Sequence, residues 1–164
     1  MTTVRPARTG DVRAIRSLVD FYSPDGRLLS KATVTLFEDI QEFLVAEEDG
    51  QVVGCGALHV MWEDLAEVRT LAVDPEHAGQ GLGSLLLTAL MDRAREVGVR
   101  RVFCLTFAVP FFERHGFELI EDAPVDPGVY EQLLQSYDEG VAEFLGLERV
   151  KPNTLGNSRM LATL

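Results

Sequence analysis

The sequence predicts an α/β (α+β) fold in which a mixed, mostly antiparallel sheet is flanked by helices. Strand-like and helix-like segments follow the order strand, two helices, three strands, helix, strand, helix, strand, which favours antiparallel pairing with parallel members in the middle of the sheet. An Asp-Gly pair, Asp49-Gly50, joins two apolar runs and is a strong signal of a β-hairpin. With 164 residues and no linker, the chain is expected to form a single domain over residues 1–164.

The N-terminal half is predicted to open with a strand and a helix. Val4 to Arg8 has strand-like alternation, and Thr9 to Asp11 supplies polar side chains that suit a helix start. The apolar face of that helix consists of Val12, Ile15, Leu18 and Val19. Turn residues over Ser23 to Gly26 precede a second helix over Lys31 to Gln41. The strands predicted next are Phe43 to Glu47, Gln51 to Trp62 and Ala66 to Val73.

The C-terminal half is predicted to begin with a long helix over Leu82 to Glu96, which Gly98 is placed to cap. The remaining predicted elements are a strand over Arg100 to Thr106, a short helix over Pro110 to His115, a strand over Phe117 to Ile120, a helix over Tyr130 to Leu145 and a strand over Ser158 to Leu164. A homodimer is possible, because dimers are the commonest closed assembly. The apolar helix over Tyr130 to Leu145 is the candidate interface for it.

The chain is strongly acidic, with a formal net charge of −11. Nucleic acid and anionic membranes both demand a basic surface, so neither is expected as a partner. No apolar run is long enough to span a bilayer and no segment resembles a signal peptide, which predicts a cytoplasmic protein. Cys55 and Cys104 lie singly in apolar runs, so core packing is expected for both. His59, His77 and His115 share no ligand spacing, and no metal is expected.

The most informative segment is a strand, a glycine-rich turn and a helix in direct succession. The strand is Glu67 to Pro75, the turn is Gly79 to Gly83, and the helix begins near Leu82. Glycines let the backbone approach a ligand closely, while the first N–H groups of the helix and its positive dipole end face the turn. Such a turn suits a pyrophosphate. An ordinary tight turn between strand and helix is the alternative interpretation.

This segment resembles motif A of the GCN5-related N-acetyltransferases, the GNAT family. Gly81 and Gly83 stand at the two glycine positions of the motif, whereas Ala78 stands where the family usually has Arg or Gln. The resemblance implies a GNAT-type domain whose sheet is splayed in the middle, with acetyl-CoA as the acetyl donor bound mainly by backbone N–H groups. It assigns acetyl-CoA to Leu71, Val73, Gly79, Gln80, Gly81, Gly83, Ser84 and Arg114.

A second segment, Pro110 to Phe117, resembles motif B of the same family, commonly Phe-Tyr-x-x-x-Gly-Phe. Phe112 stands where many members carry a Tyr that protonates the departing CoA thiolate, and a phenyl ring has no proton to donate. Core packing is the alternative role of Phe111 and Phe112. Thr106 stands at a position where some synthases of this family also have a hydroxyl group, and it is the candidate donor of the proton to the thiolate. Its alternative role is that of an ordinary β-branched strand residue.

The acetyl transfer that the resemblance implies requires a general base, because an acceptor amine is mostly protonated at neutral pH. Glu67 is the candidate base, acting directly or through one water, since it begins the strand that leads to the glycine-rich turn. The alternative interpretation of Glu67 is a solvated carboxylate at a strand edge. Glu63 and Asp64 are further candidates for the base.

Within the family, the chain resembles the acetyltransferase domain of N-acetylglutamate synthases, above all the short actinobacterial type that lacks a kinase domain. The matching segments include Leu28 to Lys31, Gly54 to Leu58, Ala66 to Val73, Val102 to Thr106 and Lys151 to Met160. This resemblance implies transfer of acetyl to the α-amine of L-glutamate, the first step of arginine biosynthesis. It assigns the acceptor to Leu29, Lys31, Ser158 and Arg159, whose cations and hydroxyl suit two carboxylates. For Lys31 and Arg159 a surface charge is the alternative role, and for Ser158 a strand-edge hydroxyl.

Two other interpretations stay open at the level of sequence. The acceptor is a different amine in the first, such as glutamine, a polyamine or a protein N-terminus. In the second, the chain binds acetyl-CoA as a sensor without catalysis, which Ala78 and Phe112 suggest because both depart from the family's pattern.

Overall fold

A computed structural model describes residues 1–23, 32–146 and 157–164 of the chain. The strands are β1 (Thr2–Pro6), β2 (Phe43–Glu48), β3 (Gln51–Trp62), β4 (Leu65–Val73), β5 (Arg101–Thr106), β6 (Glu118–Leu119) and β7 (Ser158–Thr163). The helices are α1 (Val12–Tyr22), α2 (Thr33–Glu38), α3 (Leu82–Val97), α4 (Val109–Glu113), α5 (Pro127–Leu133) and α6 (Glu139–Leu145). Short 3₁₀ turns occupy Thr9–Asp11, Ile40–Glu42 and Pro75–His77.

The seven strands form one sheet in the order β1-β2-β3-β4-β5-β7-β6. Strands β4 and β5 are parallel, and their register pairs Leu65 with Arg101 and Glu67 with Phe103. Antiparallel pairing joins β1 to β2, β2 to β3, β5 to β7 and β6 to β7. The predicted mixed sheet, mostly antiparallel with a parallel pair in the middle, is confirmed.

The chain divides into two compact units, one comprising Met1–His59 and Val68–Arg93 and the other Val60–Glu67 and Ala94–Leu164. In the first unit, the apolar face of α1 packs into a core cluster with α2, β2 and β3. The turn before α1 is held by Asp11, which accepts a hydrogen bond from the backbone N–H of Arg8 at 2.7 Å and pairs with Arg5 at 2.8 Å. The Arg5 guanidinium therefore holds the pKa of Asp11 below its usual value.

Two glycines of β3 let α3 pack closely in this unit. A Cβ built on Gly54 would lie 2.9 Å from Cδ1 of Leu86, and one built on Gly56 would lie 2.8 Å from Cδ1 of Leu90. Both leucines are fully buried. The resemblance at Gly54 to Leu58 thus coincides with a packing requirement, because any larger residue would push against the helix that follows the glycine-rich turn.

The second unit has its own core, in which α5 and α6 cover residues of β4 and β5. Leu65 and Phe103 are fully buried there, and the Phe103 ring meets the Phe144 ring edge to face at a centroid distance of 5.1 Å. The cluster is completed by Leu133, Val141 and Leu145. Cys104 is buried in this unit and Cys55 in the first, and both thiols are free, as the sequence predicts.

The predicted single helix over Tyr130 to Leu145 is wrong. Two helices, α5 and α6, occupy this region, and the segment between them is held by local side-chain hydrogen bonds. The Asp138 carboxylate accepts from the backbone N–H of Val141 at 3.0 Å, and the Ser136 hydroxyl accepts from the N–H of Asp138 at 3.1 Å. Asp138 is therefore an N-cap that starts a new helix. Apolar residues of both helices, such as Leu133, Val141 and Phe144, lie in the core of their own unit, so the predicted single interface helix is not formed. The homodimer itself stays a prediction.

Element boundaries differ from the prediction by a few residues elsewhere. Helix α2 is short and is followed by a 3₁₀ turn, α4 starts at Val109, and β6 has two residues. Across residues 1–23, 32–146 and 157–164, no helix has the length and apolarity needed to cross a membrane.

Candidate active site

The glycine-rich turn adopts the conformation that the sequence predicts. Gly79 and Gly81 have φ angles of +80° and +79°, which side chains other than glycine rarely adopt. The N–H of Leu85 donates to the carbonyl of Gly81 at 3.0 Å, so helix α3 starts directly after Gly81. The N–H groups of its first turn have no partner within the helix and are available to an anion.

Side chains of the first unit hold the segment that enters this turn. The Asp74 carboxylate accepts from the N–H of Glu76 at 2.9 Å, which closes the 3₁₀ turn before the glycines. Nε2 of His77 lies 3.1 Å from the Glu48 carboxylate, and the hydroxyl of Tyr22 donates to the carbonyl of Val73 at 2.5 Å. These contacts hold in place the start of the turn that is predicted to bind acetyl-CoA.

The other residues assigned to acetyl-CoA in this unit lie on or beside the turn. Gln80 is exposed, Gly83 and Ser84 are partly buried in the first turn of α3, and Leu71 and Val73 are partly buried near the end of β4. These residues thus lie close together along the chain, on the turn, at the start of α3 and near the end of β4. Their role in acetyl-CoA binding stays a prediction.

Strand β4 contains a distortion that the sequence does not reveal. Thr70 has a φ angle of +57° in the left-handed region, which is a genuine outlier for a β-branched residue. Such a conformation costs on the order of 1–3 kcal/mol and is typical of functional sites. The Cys55 thiol donates to the Thr70 carbonyl at 3.4 Å. Nothing in the local sequence marks this position, because threonine does not favour positive φ.

In the second unit, Glu67 is buried in β4, opposite Phe103 of β5. Only 4% of Glu67 is exposed, so the interpretation as a solvated edge carboxylate is wrong. Burial raises the pKa of the Cys104 thiol, and the nearby Glu67 carboxylate raises it further. The two other candidates for the base differ from it: Glu63 is exposed, and Asp64 pairs with Arg101 at 3.2 Å. Glu67 is thus the buried carboxylate among the three.

Thr106 and Ser158 are direct cross-strand partners at one end of the β5–β7 ladder. The Thr106 hydroxyl oxygen accepts a hydrogen bond from the N–H of Ala108 at 2.8 Å. Because that bond uses a lone pair, the hydroxyl hydrogen is still available to an acceptor. The structure thus brings together two hydroxyl groups that the sequence assigned to different roles.

Motif B has a packing role in the second unit. Phe112 is buried, and its ring centroid lies 5.1 Å from that of Phe111 and 5.1 Å from that of Phe117. Arg114 is exposed, with its guanidinium 5.9 Å from the centroid of the Phe111 ring. The role of Arg114 in acetyl-CoA binding stays a prediction.

Arg159 makes contacts within the protein rather than facing the two hydroxyl groups. Its guanidinium donates to the backbone carbonyls of Glu121 and Phe144 and lies 6.0 Å from the centroid of the Phe103 ring. Burial lowers the pKa of this guanidinium. Leu29 and Lys31, the other predicted acceptor residues, lie outside the described residues, so their roles stay predictions.

The described residues contain no group of three or more His, Cys, Asp or Glu side chains placed to hold a metal ion. His59 pairs with Glu42 at 2.8 Å, and His77 with Glu48, so both are engaged in the first unit.

Comparison with known proteins identifies the class to which this fold and glycine-rich turn belong. The profile of the acetyltransferase (GNAT) family matches residues 13–117. The chain belongs to this family and is an N-acetyltransferase.

Particular relatives narrow the comparison further. The chain is 56% identical to the amino-acid acetyltransferase of Mycobacterium tuberculosis over 98% of its own length and 94% of that protein. The crystal structure of Rv2747 from Mycobacterium tuberculosis in complex with CoA and NLQ has a TM-score of 0.95, with 55% identity over 99% of both chains. N-acetylglutamate synthase from Neisseria gonorrhoeae, complexed with coenzyme A and N-acetyl-glutamate, gives a TM-score of 0.80 and 25% identity over 100% of this chain and 35% of the synthase.

Proposed function

We propose that the chain transfers the acetyl group of acetyl-CoA to the α-amine of L-glutamate. The observation that carries this proposal is the 56% identity, over 98% of the chain, to an amino-acid acetyltransferase. The similarity to a synthase that was crystallised with coenzyme A and N-acetyl-glutamate supports the choice of glutamate. The proposed role is the first step of arginine biosynthesis.

The glycine-rich turn is proposed to bind the pyrophosphate of acetyl-CoA. Gly79 and Gly81 hold their positive φ angles without strain, and the unpaired N–H groups at the start of α3 point at the turn. Backbone donors of this kind do not depend on the side chain at position 78. The alanine there is therefore compatible with acetyl-CoA binding, although it removes one side-chain donor.

The chemistry is a direct transfer between two bound substrates. Glu67 takes a proton from the acceptor ammonium through one water at the point where the β4–β5 pairing ends, since its side chain shares the face of Phe103 and not that of Thr106. The freed amine then attacks the thioester carbonyl. The new C–N bond forms and the nitrogen releases its second proton to solvent, while the C–S bond breaks and the CoA thiolate leaves with the electron pair. Glu67 afterwards returns its proton to solvent. Thr106 gives its hydroxyl proton to the thiolate and is reprotonated from solvent, which replaces the donor that Phe112 cannot supply. No acetyl-enzyme is formed.

The acceptor site is proposed to combine Leu29, Lys31 and Ser158. Glutamate brings two carboxylates to a chain of net charge −11, so it needs local cations and hydroxyl donors. Ser158 is available for this purpose because it is partly exposed beside Thr106. Lys31 would supply the positive charge.

The proposal is tested by steady-state release of CoA thiol from acetyl-CoA. The acceptors are L-glutamate, L-glutamine, a panel of other amino acids and spermidine. Glutamate is expected to give the highest kcat/KM. The variant Glu67→Gln is expected to lower kcat by about 100-fold or more, because general bases typically contribute at least that much.

Glu63→Gln is the matched control, since Glu63 is an exposed carboxylate of the same unit and should leave kcat within about twofold. Turnover with spermidine alone would mean that the acceptor is a polyamine and not glutamate. Binding of acetyl-CoA without turnover on any acceptor would support a sensor instead. Equal losses in the two variants would remove Glu67 from the role of base.

A further inference from the structure

Arg159 joins three segments of the second unit. The residue lies on β7, one of its carbonyl partners is Phe144 in the last turn of α6, and the other is Glu121, which follows β6. Carbonyl groups in the last turn of a helix lack partners within the helix, and a cation is favourable near that end of the dipole. The guanidinium therefore donates a hydrogen bond to a carbonyl that has no partner within α6.

The face of the sheet on which Arg159 lies decides what it can touch. Arg159 and Ser158 are successive residues of β7, so their side chains point to opposite faces. Arg159 contacts the Phe103 ring, on the face that α6 covers. Ser158 shares the opposite face with its register partner Thr106. A guanidinium that binds an acceptor beside Ser158 would have to leave the covered face and give up both carbonyls.

We propose that Arg159 is a positioning residue for the acceptor site. By tying α6 and the segment after β6 to β7, it fixes the start of that strand, and with it the positions of Ser158 and Thr106. Arg159 does not bind the acceptor. This inference rests on the proposed function in so far as Ser158 and Thr106 serve the acceptor and the thiolate.

Arg101 offers a matched control in the same unit. Its guanidinium also joins separate segments, because it bonds to the Asp64 carboxylate and to the backbone carbonyl of Pro124. It lies at the opposite end of the β5–β7 ladder, where Arg101 pairs with Thr163. Loss of Arg101 therefore removes hydrogen bonds between separate segments, as loss of Arg159 does, but should leave Ser158 in place.

The test compares Arg159→Met and Arg159→Lys with Arg101→Met. Both methionine variants are expected to lower Tm by roughly 3–8 °C, because hydrogen bonds from a charged group are lost in a chain of this size. Only Arg159→Met is expected to lower kcat/KM by about tenfold, since misplaced groups are costly in catalysis. The loss should be equal for glutamate and for its α- and γ-amides, and KM for acetyl-CoA should not change. Lysine, a single point charge, should restore part of each loss.

Amide hydrogen exchange provides a readout that needs no turnover. In Arg159→Met, exchange should become at least about tenfold faster in residues 144–146 and at the Thr106–Ser158 end of the ladder, since local opening there becomes easier. The β1–β2 ladder of the first unit should not change. Arg101→Met should leave the Thr106–Ser158 end protected.

Two results would overturn the proposal. One is unchanged exchange in Arg159→Met. The other is a loss of kcat/KM that is at least about tenfold larger for glutamate than for one of its amides, which would mean that Arg159 binds that carboxylate directly. An unmodified protein that acetylates none of the acceptors would count against the proposed function alone, because the exchange experiment still decides the role of Arg159.

Discussion

In the proposed reaction, the buried Glu67 carboxylate accepts a proton and the partly buried Thr106 hydroxyl donates one. Glu67 is held within β4 and Thr106 ends β5, so each reacting group is carried by a strand rather than by a loop. Strands hold side chains in narrow ranges of position, which suits a reaction that depends mainly on placing the amine against the thioester.

Thr106→Val tests the second proton transfer. Valine keeps the shape of threonine but removes the hydroxyl, so kcat is expected to fall by about tenfold at neutral pH, a modest effect because a thiolate is already a good leaving group. The deficit should narrow as pH rises past about 8.5, the ordinary pKa of a thiol, because the product thiolate no longer needs a proton. Steady-state kinetics from pH 7 to about pH 9.5 measures this.

Thr106→Ser and Ser158→Ala are the controls for that experiment. Serine keeps both the hydroxyl proton and the hydrogen bond from Ala108, so its kcat should stay close to that of the unmodified protein. Loss of the Ser158 hydroxyl should raise KM for the acceptor and leave the pH profile unchanged. A deficit of Thr106→Val that is constant with pH would show that the hydroxyl only supports the Ala108 turn.

At the scale of elements, Gly56 leaves room in β3 for leucine side chains of α3 and β4. A Cβ at this position would meet Cδ1 of Leu90 at 2.8 Å and Cδ1 of Leu71 at 3.1 Å. Both atoms are the tips of flexible leucine side chains, so Gly56→Ala is expected to cost about 1 kcal/mol of overpacking and to lower Tm by roughly 2–4 °C. Because α3 carries the N–H groups proposed for the pyrophosphate, KM for acetyl-CoA should rise several-fold. Thermal unfolding and steady-state kinetics measure the two effects.

Gly10→Ala is the matched substitution, since a Cβ at Gly10 has nothing within 4 Å and its φ angle is not positive. It should leave both Tm and KM nearly unchanged. A Gly56→Ala variant that loses stability but binds acetyl-CoA normally would separate the packing of α3 from the position of the turn.

Several elements were readable from the sequence because local chemistry determines them. The Asp49-Gly50 hairpin, the amphipathic α1 and the glycine-rich turn before α3 all lie where their residue types predict. The break between α5 and α6 depends on Asp138, whose capping role was hidden within a run of apolar spacing.

Two features of the candidate site depend on tertiary contacts that no local pattern reports. The positive φ of Thr70 occurs at a residue type that does not favour it. The contacts of Arg159 depend on where Glu121 and Phe144 lie in the folded unit, so the sequence alone predicted a substrate-binding cation. Because neighbours in a strand face opposite ways, the position of Arg159 next to Ser158 in the sequence does not bring the two side chains together.

At the scale of the whole molecule, the charge of the chain opposes its proposed substrates. The formal net charge is −11, and both CoA and glutamate are anions. Binding therefore depends on short-range donors, such as the N–H groups at the glycine-rich turn, that act within a long-range repulsive field. These two contributions respond differently to salt, because added ions screen distant charges far more than groups in contact.

We therefore expect acetyl-CoA to bind more tightly as salt increases from about 10 to about 150 mM, over which the screening length falls from about 30 to about 8 Å. The expected fall in Kd is about two- to fivefold, measured by titration calorimetry without acceptor. S-acetylpantetheine, which lacks the pyrophosphate and carries no charge, is the matched ligand and should show no dependence on salt. Weaker binding at higher salt would mean that local cations dominate, and Arg114→Gln should then abolish the dependence, since Arg114 is the exposed cation assigned to acetyl-CoA.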